Sequence, residues 1–521
     1  MSDLTDESIA VAGAGFGGLA AAAYLAAAGA DVTVYERRTD VGGVAGRLTG
    51  EGFRFDTGPS WYLMPELFDR FFADFDREPS DYYDLERLDP NYRVFWEDGD
   101  RANVPADPAE AQALFESYNS GAGEALERYL ADAREAYEIG MNRFVLPNRT
   151  RFRDYLSTDV LRSARGLSLL GTMDDHVADY FDHPKLRQLV QYTLVFLGGA
   201  PHNTPALYML MSHVDYGLGV YYPQGGIREV VDAVAAVARE QGATIETGTP
   251  VDALEPTPDG FAVTTDAGRT RYDRVVCNAP PAHVERDLLP AGVPDRSDDY
   301  WDDRTYAPSA FMLYLGVDGE LPEFEHHTLV LPTDWTPHFE SIFDDPAWPD
   351  DPAYYVNVPS RTDPSVAPDG CETVVILVPI APGLEDDDAT RERFRDAVLA
   401  DLAETTGVDL RERIRFEERA CVSEFAGGFN KPQGTALGLA HTLRQTGPLR
   451  PRHRVPGLEG LYYVGGDTNP GIGVPMCLLS GEHVTEAVLA DARDGPVDRD
   501  RSENGLRRLI RQGLYRVQST V

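Results

Sequence analysis

The segment Gly13-Ala-Gly15-Phe-Gly-Gly18 constrains this chain more than any other. It follows an apolar run, Ser8 to Ala12, and opens an alanine-rich stretch, Leu19 to Ala28, that ends at Gly29, where a helix C-cap is expected. A second apolar run, Asp31 to Tyr35, leads into Glu36. Strand, glycine turn, helix, strand is a βαβ unit, and the glycine spacing gives it a purpose. Gly13 permits the tight turn, Gly15 lets the backbone approach a pyrophosphate, and Gly18 lets helix and strand pack closely. Free N–H groups at the helix start meet the phosphates. Glu36 is placed to accept hydrogen bonds from an adenosine ribose. The fold class is therefore α/β, with a Rossmann-like dinucleotide-binding domain.

The residues after Glu36 separate NAD from FAD. Arg37-Arg-Thr-Asp-Val-Gly42-Gly43-Val-Ala-Gly-Arg47 carries a glycine pair closely followed by Arg. It resembles the second pyrophosphate-contacting signature of the glutathione-reductase and amine-oxidase class of flavoproteins. On that resemblance Arg37, Gly42 and Gly43 lie along FAD, and Arg47 supplies a charge-assisted contact to phosphate. Phe55-Asp-Thr-Gly58-Pro59-Ser60 continues the likeness beside the flavin, and Val251 falls where members hold the adenine with backbone groups. In Leu461-Tyr-Tyr-Val-Gly-Gly466-Asp467 an apolar strand ends in an acid. It resembles the residue that binds the ribityl and pyrophosphate side of FAD. After a glycine turn, a helix beginning around Val474-Pro-Met476 is expected to aim its N-terminus at the flavin C2 carbonyl.

From about residue 76 the pattern changes to long amphipathic helices, Pro108 to Tyr137 and Arg162 to Tyr192. The glycine-rich part resumes at Tyr222-Pro-Gln-Gly-Gly226, with a helix from Ile227 to Gln241, a strand from Thr244 to Thr247, and a hairpin leading to a buried strand at Arg274 to Asn278. This gives a discontinuous FAD-binding domain of residues 1–75, 221–280 and 410–495. An inserted mixed α+β substrate domain takes residues 76–220, read as helical, and 281–409, read as sheet, and a tail takes 496–521.

The motifs stand in the order of the bacterial and archaeal phytoene desaturase family, and the resemblance spans about Ile9 to Leu489. Asn469 departs from it, standing where many members have His. The resemblance implies desaturation of a C40 carotenoid, phytoene or a later intermediate toward lycopene. One hydrogen would leave as hydride to flavin N5 and the other as a proton. A carotenoid 3,4-desaturase would carry the same motifs. The polyene needs an apolar tunnel, which aromatics in Ser60 to Met64, Tyr192 to Leu197 and Leu207 to Met211 are placed to line. No acid or base is assigned: His202, His213 and Asp215 read as structural polar residues. A second dinucleotide motif is not found, so reduced flavin is expected to pass its electrons to a quinone or oxygen.

Charge narrows the partners. Against 86 acidic residues stand 47 basic ones, a net of −39, which argues against nucleic acid. Lys185 and Lys431 are the two lysines, and this acid-rich, lysine-poor pattern resembles proteins of salt-loving archaea. Amine oxidases often place a Lys near the flavin, so an amine or porphyrinogen oxidase finds few candidates here. A prenyl-binding escort module would need no complete FAD site. Cys277, Cys371, Cys421 and Cys477 are widely spaced, which fits a reducing compartment. The acidic N-terminus and the lack of a run of about eighteen apolar residues point to a cytoplasmic protein meeting a membrane from one side. Leu506, Leu509, Ile510, Leu514 and Val517 recur at helical spacing among five Arg and one Glu in residues 501–521, a local net of +4 suited to an anionic membrane surface or to docking on the acidic body of the protein.

Overall fold

The computed structural model describes residues 4–149, 171–293, 296, 298–442 and 444–493. Strand Ser8–Ala12 lies at the centre of a five-stranded sheet between Asp31–Glu36 and Arg274–Cys277, with Thr244–Thr247 and Leu461–Tyr463 at the edges. All pairings are parallel, and Val11 stands opposite both Val34 and Val276. These central strands are apolar without alternation because both faces are covered.

On one face lie helices Phe16–Ala27, Ile227–Glu240 and Val474–Arg493. The alanines of the first helix keep its backbone close to its neighbours. A Cβ at Gly481 would fall 2.6 Å from the Ala20 Cβ, so the C-terminal helix needs glycine there. On the other face a three-stranded antiparallel sheet, Ala253–Thr257, Gly260–Thr265 and Gly268–Tyr272, packs Leu254, Phe261 and Val263 against Ala10, Ala12 and Cys277. The sequence pattern reveals only the hairpin of this sheet. Pro256 hides the third strand, and it is tolerated because that strand is an edge.

The second body is a seven-stranded sheet. In spatial order it runs Ile414–Ala420, Ser309–Asp318, Cys371–Ile380, Tyr354–Asn357, His327–Leu331, Tyr92–Trp96 and Arg101–Val104. Two of its strands come from the segment read as helical, and one from a segment placed with the FAD-binding part. Tyr92–Trp96 and Arg101–Val104 form a short hairpin whose alternating burial is lost to a helix-length window. The long helix expected over 108–137 is two, Pro108–Tyr118 and Ala122–Gly140, because Gly121 between them takes a left-handed φ of 86°. Of the second expected helix, residues 162–170 lie outside the described residues, and Pro184 starts a separate helix, Pro184–Gln191. No described helix is long and apolar enough to cross a membrane.

Candidate active site

A cavity of about 1350 Å³ opens at the carboxyl ends of the parallel strands, where ligands bind in open α/β sheets. Its first wall is the glycine turn. Gly13 takes φ 105° and donates its N–H to the Tyr35 carbonyl at 2.8 Å. A Cβ on Gly18 would lie 2.0 Å from the Gly13 oxygen, and one on Gly15 would lie 2.6 Å from Asn278 Oδ1. Gly18 therefore serves the turn from behind, while Gly15 faces the cavity. Glu36 is 5% exposed, and its carboxylate accepts from the N–H groups of Ala14 (2.8 Å) and Arg38 (2.9 Å), which fixes the turn against the second strand.

The second glycine segment lies beside the first: Gly42 N–H donates to the Ala14 carbonyl at 2.7 Å. Gly58 follows closely, since a Cβ there would sit 2.3 Å from the Val44 oxygen, and Pro59 continues the wall. Asp56, just before, reaches the other family motif. Its carboxylate accepts from Ile227 (2.7 Å) and Arg228 (3.3 Å) N–H, capping the helix that follows Gly226. Burial raises the Asp56 carboxyl to about 6.

The third wall is the segment from Gly466 to Met476. Asp467 Oδ1 accepts from Leu439 N–H at 2.8 Å. Behind it Arg450, 2% exposed, donates to the carbonyls of Gly466 (2.6 Å), Leu439 (2.9 Å) and Thr468 (3.0 Å). Burial lowers the Arg450 pKa, and the nearby Asp467 charge opposes that. Val474 and Met476, at the start of the C-terminal helix, line the cavity, as Val251 does from the opposite side.

Two expected cofactor contacts are held by protein groups. Arg47 is not on the cavity wall; it pairs with Glu229 Oε1 at 2.6 Å. Arg37 lines the cavity, but its guanidinium is engaged by the Gly427 and Gly428 carbonyls and by Asn430 Oδ1. The lysines divide: Lys431 borders the cavity, whereas Lys185 is held by Asp98 and Asp100. Asn278 was missed. Its side chain wedges between the glycine turn and Gly465, donating to the Val464 carbonyl at 3.1 Å. A polar residue ending a buried parallel strand was the available signal.

Beyond the glycine walls the lining turns apolar. Trp61, Leu63, Met64, Tyr192, Leu207 and Met211, from all three segments named for the tunnel, meet there. Tyr62 does not, because it stacks on Phe68 in the core. His202 pairs with Asp344 near the surface, and His213 packs its ring on Tyr137. Asp215 is buried among tyrosine hydroxyls.

The cradle that would reject a Cβ, the buried acid at the second strand and the adjoining glycine segment fit FAD. The chain belongs to the flavin containing amine oxidoreductase family, whose model matches residues 16–489, and it is an FAD-dependent oxidoreductase. Within that class it groups with carotenoid desaturases. A carotenoid 3,4-desaturase of Haloarcula japonica is 57% identical over 493 residues, covering 94% of this chain and all of that protein. The zeta-carotene-forming phytoene desaturase of Myxococcus xanthus is 34% identical, covering 92% of this chain and 93% of that one. In fold, a solved oxidoreductase from Methanosarcina mazei superposes with a TM-score of 0.62 at 19% identity, over 92% of this chain and 100% of its own. The Haloarcula relative agrees with the salt-loving composition.

Proposed function

We propose that this chain desaturates an acyclic C40 carotenoid with FAD as oxidant, and that the 3,4 bond is its target. The observation that carries the reading is a single cavity with a dinucleotide cradle at one end and an aromatic and aliphatic wall at the other. The 57% identical relative supports the 3,4 position over the phytoene step.

In this reading Gly13, Gly15, Glu36, Gly42 and Gly43 hold the adenosine and pyrophosphate, with Gly18 supporting the turn and Val251 beside the adenine. Gly58, Pro59, Gly466, Asp467, Val474 and Met476 hold the ribityl chain and flavin. Arg37 keeps the adjoining loop in place. Bound FAD supplies the two-electron oxidant. The residues around it exclude water and align the polyene by burying it.

Residues 1–75, 221–280 and 410–495 supply the FAD-binding part and the remainder of 76–409 the substrate part, save that strand Ile414–Ala420 joins the substrate sheet. A quinone or oxygen takes the electrons. The protein meets the membrane peripherally, through the basic stripe of 501–521, which lies outside the described residues, and through Leu449, exposed at the cavity margin.

Expression in cells that accumulate either phytoene or lycopene tests the substrate. Lycopene converted to a longer-wavelength pigment with phytoene untouched is expected. Coloured product from phytoene would make the chain a phytoene desaturase, and no change with either would defeat the carotenoid reading. Deleting 501–521 is expected to move the protein from the membrane pellet to the soluble fraction with FAD still bound.

A further inference from the structure

Forming a double bond removes two hydrogens. One leaves with its electron pair to the bound flavin, the oxidant of the step. The other leaves as a proton, its C–H electron pair becoming the π bond. In an apolar cavity that proton needs an acceptor.

Four phenols on the cavity wall have an ionisable group behind them: Tyr208 before His441, Tyr355 before His327, Tyr354 before Asp401, and Tyr192 before Asp215. Tyr354 packs into the core of the seven-stranded sheet with Phe95 and Val330, and its hydroxyl is turned to Asp401 on the helix Asp388–Thr406. His441 Nε2 already accepts from Ile472 N–H at 3.1 Å. The neutral ring must then carry its proton on Nδ1, facing Tyr208, and has no lone pair to offer. Ser60 Oγ donates to Tyr355 at 3.0 Å, which leaves the Tyr355 hydroxyl to donate to His327 Nδ1 at 2.6 Å. Burial holds His327 well below its ordinary pKa, with His326 adding to the effect, so it does not retain a proton.

The Tyr192 pair differs. Asp215 is 1% exposed and accepts on Oδ2 from Tyr192 (3.0 Å) and Tyr92 (3.3 Å). The Tyr216 hydroxyl stands one bond further, 3.2 Å from that of Tyr92. Asp215 Oδ1 has no hydrogen-bond partner among the described residues. Burial raises this carboxyl to about 7, against the lowering effect of the two phenol hydrogen bonds. A group titrating near neutrality takes up and returns a proton at little cost. Tyr192 shares the cavity wall with Ser60, and its ring centroid lies 5.9 Å from that of Trp61, the next residue after Ser60. The pair thus stands close to the Gly58-Pro59 segment.

We propose that Tyr192 and Asp215 are the proton acceptors of the desaturation: the Tyr192 oxygen takes the proton leaving carbon while its own passes to Asp215 Oδ2. Tyr192 meets the substrate, and Asp215 is a positioning residue that acts through it. The inference rests on the desaturase reading above.

The test uses FAD-loaded, full-length Asp215→Asn and Tyr192→Phe with the polyene that the wild type converts. Both variants are expected to keep wild-type FAD content and KM while kcat falls about 100-fold or more, in the range of general-base loss. The kcat limb near neutral pH should vanish in Asp215→Asn. In resting protein, an infrared carboxyl band that titrates near neutrality should be present in the wild type and absent from Asp215→Asn. Wild-type kcat in both variants, an unchanged pH limb, or a loss that follows only FAD content would overturn the proton pair and leave the desaturase reading standing. A wild type that converts no acyclic carotenoid overturns the reading itself.

Discussion

Gly15→Ala isolates the approach of backbone to cofactor. The new Cβ would stand 2.6 Å from Asn278 Oδ1, roughly 0.7 Å inside an ordinary carbon–oxygen contact. Because the obstacle is a side-chain oxygen, Asn278 can give way and the fold survives. The methyl group would still project into the cavity and hold the pyrophosphate away from the N–H groups of the turn. Losing one amide hydrogen bond to a charged phosphate costs about 1.5–3 kcal/mol, or roughly a 10- to 150-fold rise in the FAD dissociation constant. Fluorescence titration of the deflavinated protein reads that constant, and circular dichroism checks the fold. The companion Asn278→Ala removes the internal clash alone. If the double variant binds FAD as well as Asn278→Ala does, Gly15 matters only for packing and the reasoning fails.

Arg47→Ala should keep its FAD, since Arg47 is occupied by Glu229, and should lose no more than about 1 kcal/mol of stability; extensive flavin loss on gel filtration would return Arg47 to the phosphate. Gly481→Ala forces the C-terminal helix off Ala20, at a cost of about 1–3 kcal/mol, and should lower the melting temperature by roughly 1–3 °C in a chain of this size. The Asp56 carboxyl is raised to about 6 in the fold, so its contribution is full below the ordinary carboxylate range and is lost as pH rises toward 6. Asp56→Asn should therefore flatten the stability profile between about pH 4 and 6, whereas Asp56→Ala uncaps the Ile227–Glu240 helix and should cost about 1–2 kcal/mol at pH 5, both read by denaturant melts.

The nucleotide half was legible because its chemistry is local. A glycine turn between two strands states its own geometry, and Gly13, Gly15, Glu36 and Gly42 come together as their spacing implies. Arg47 is less legible because a charge states its sign but not its partner: Glu229, which holds it here, lies 182 residues away in the chain. Asn278 is similar: its role exists only once residues 13–18 and 465 converge on it. The substrate half was less readable. Tyr92–Trp96 earns its place by parallel pairing with His327–Leu331, a partner far along the sequence. The surroundings of Asp215 are not legible either, since one acid among helices carries no sign of the phenols that gather round it.

The seven-stranded sheet bears on how substrate comes and goes. Its strands are drawn from 92–104, 309–380 and 414–420; the chain returns to the parallel sheet at 244–247 and 274–277 after the first group and at 461–463 after the last. Swinging the two bodies apart would load several covalent crossings together, which resists a wide opening of the interior. On the proposed function, a polyene would instead enter lengthwise, leading with an end. The terminal unit would then reach the reactive station first, and treating both ends of a symmetrical carotenoid would require full withdrawal and re-entry. Half-oxidised product would accumulate in solution or lipid before the second end is processed.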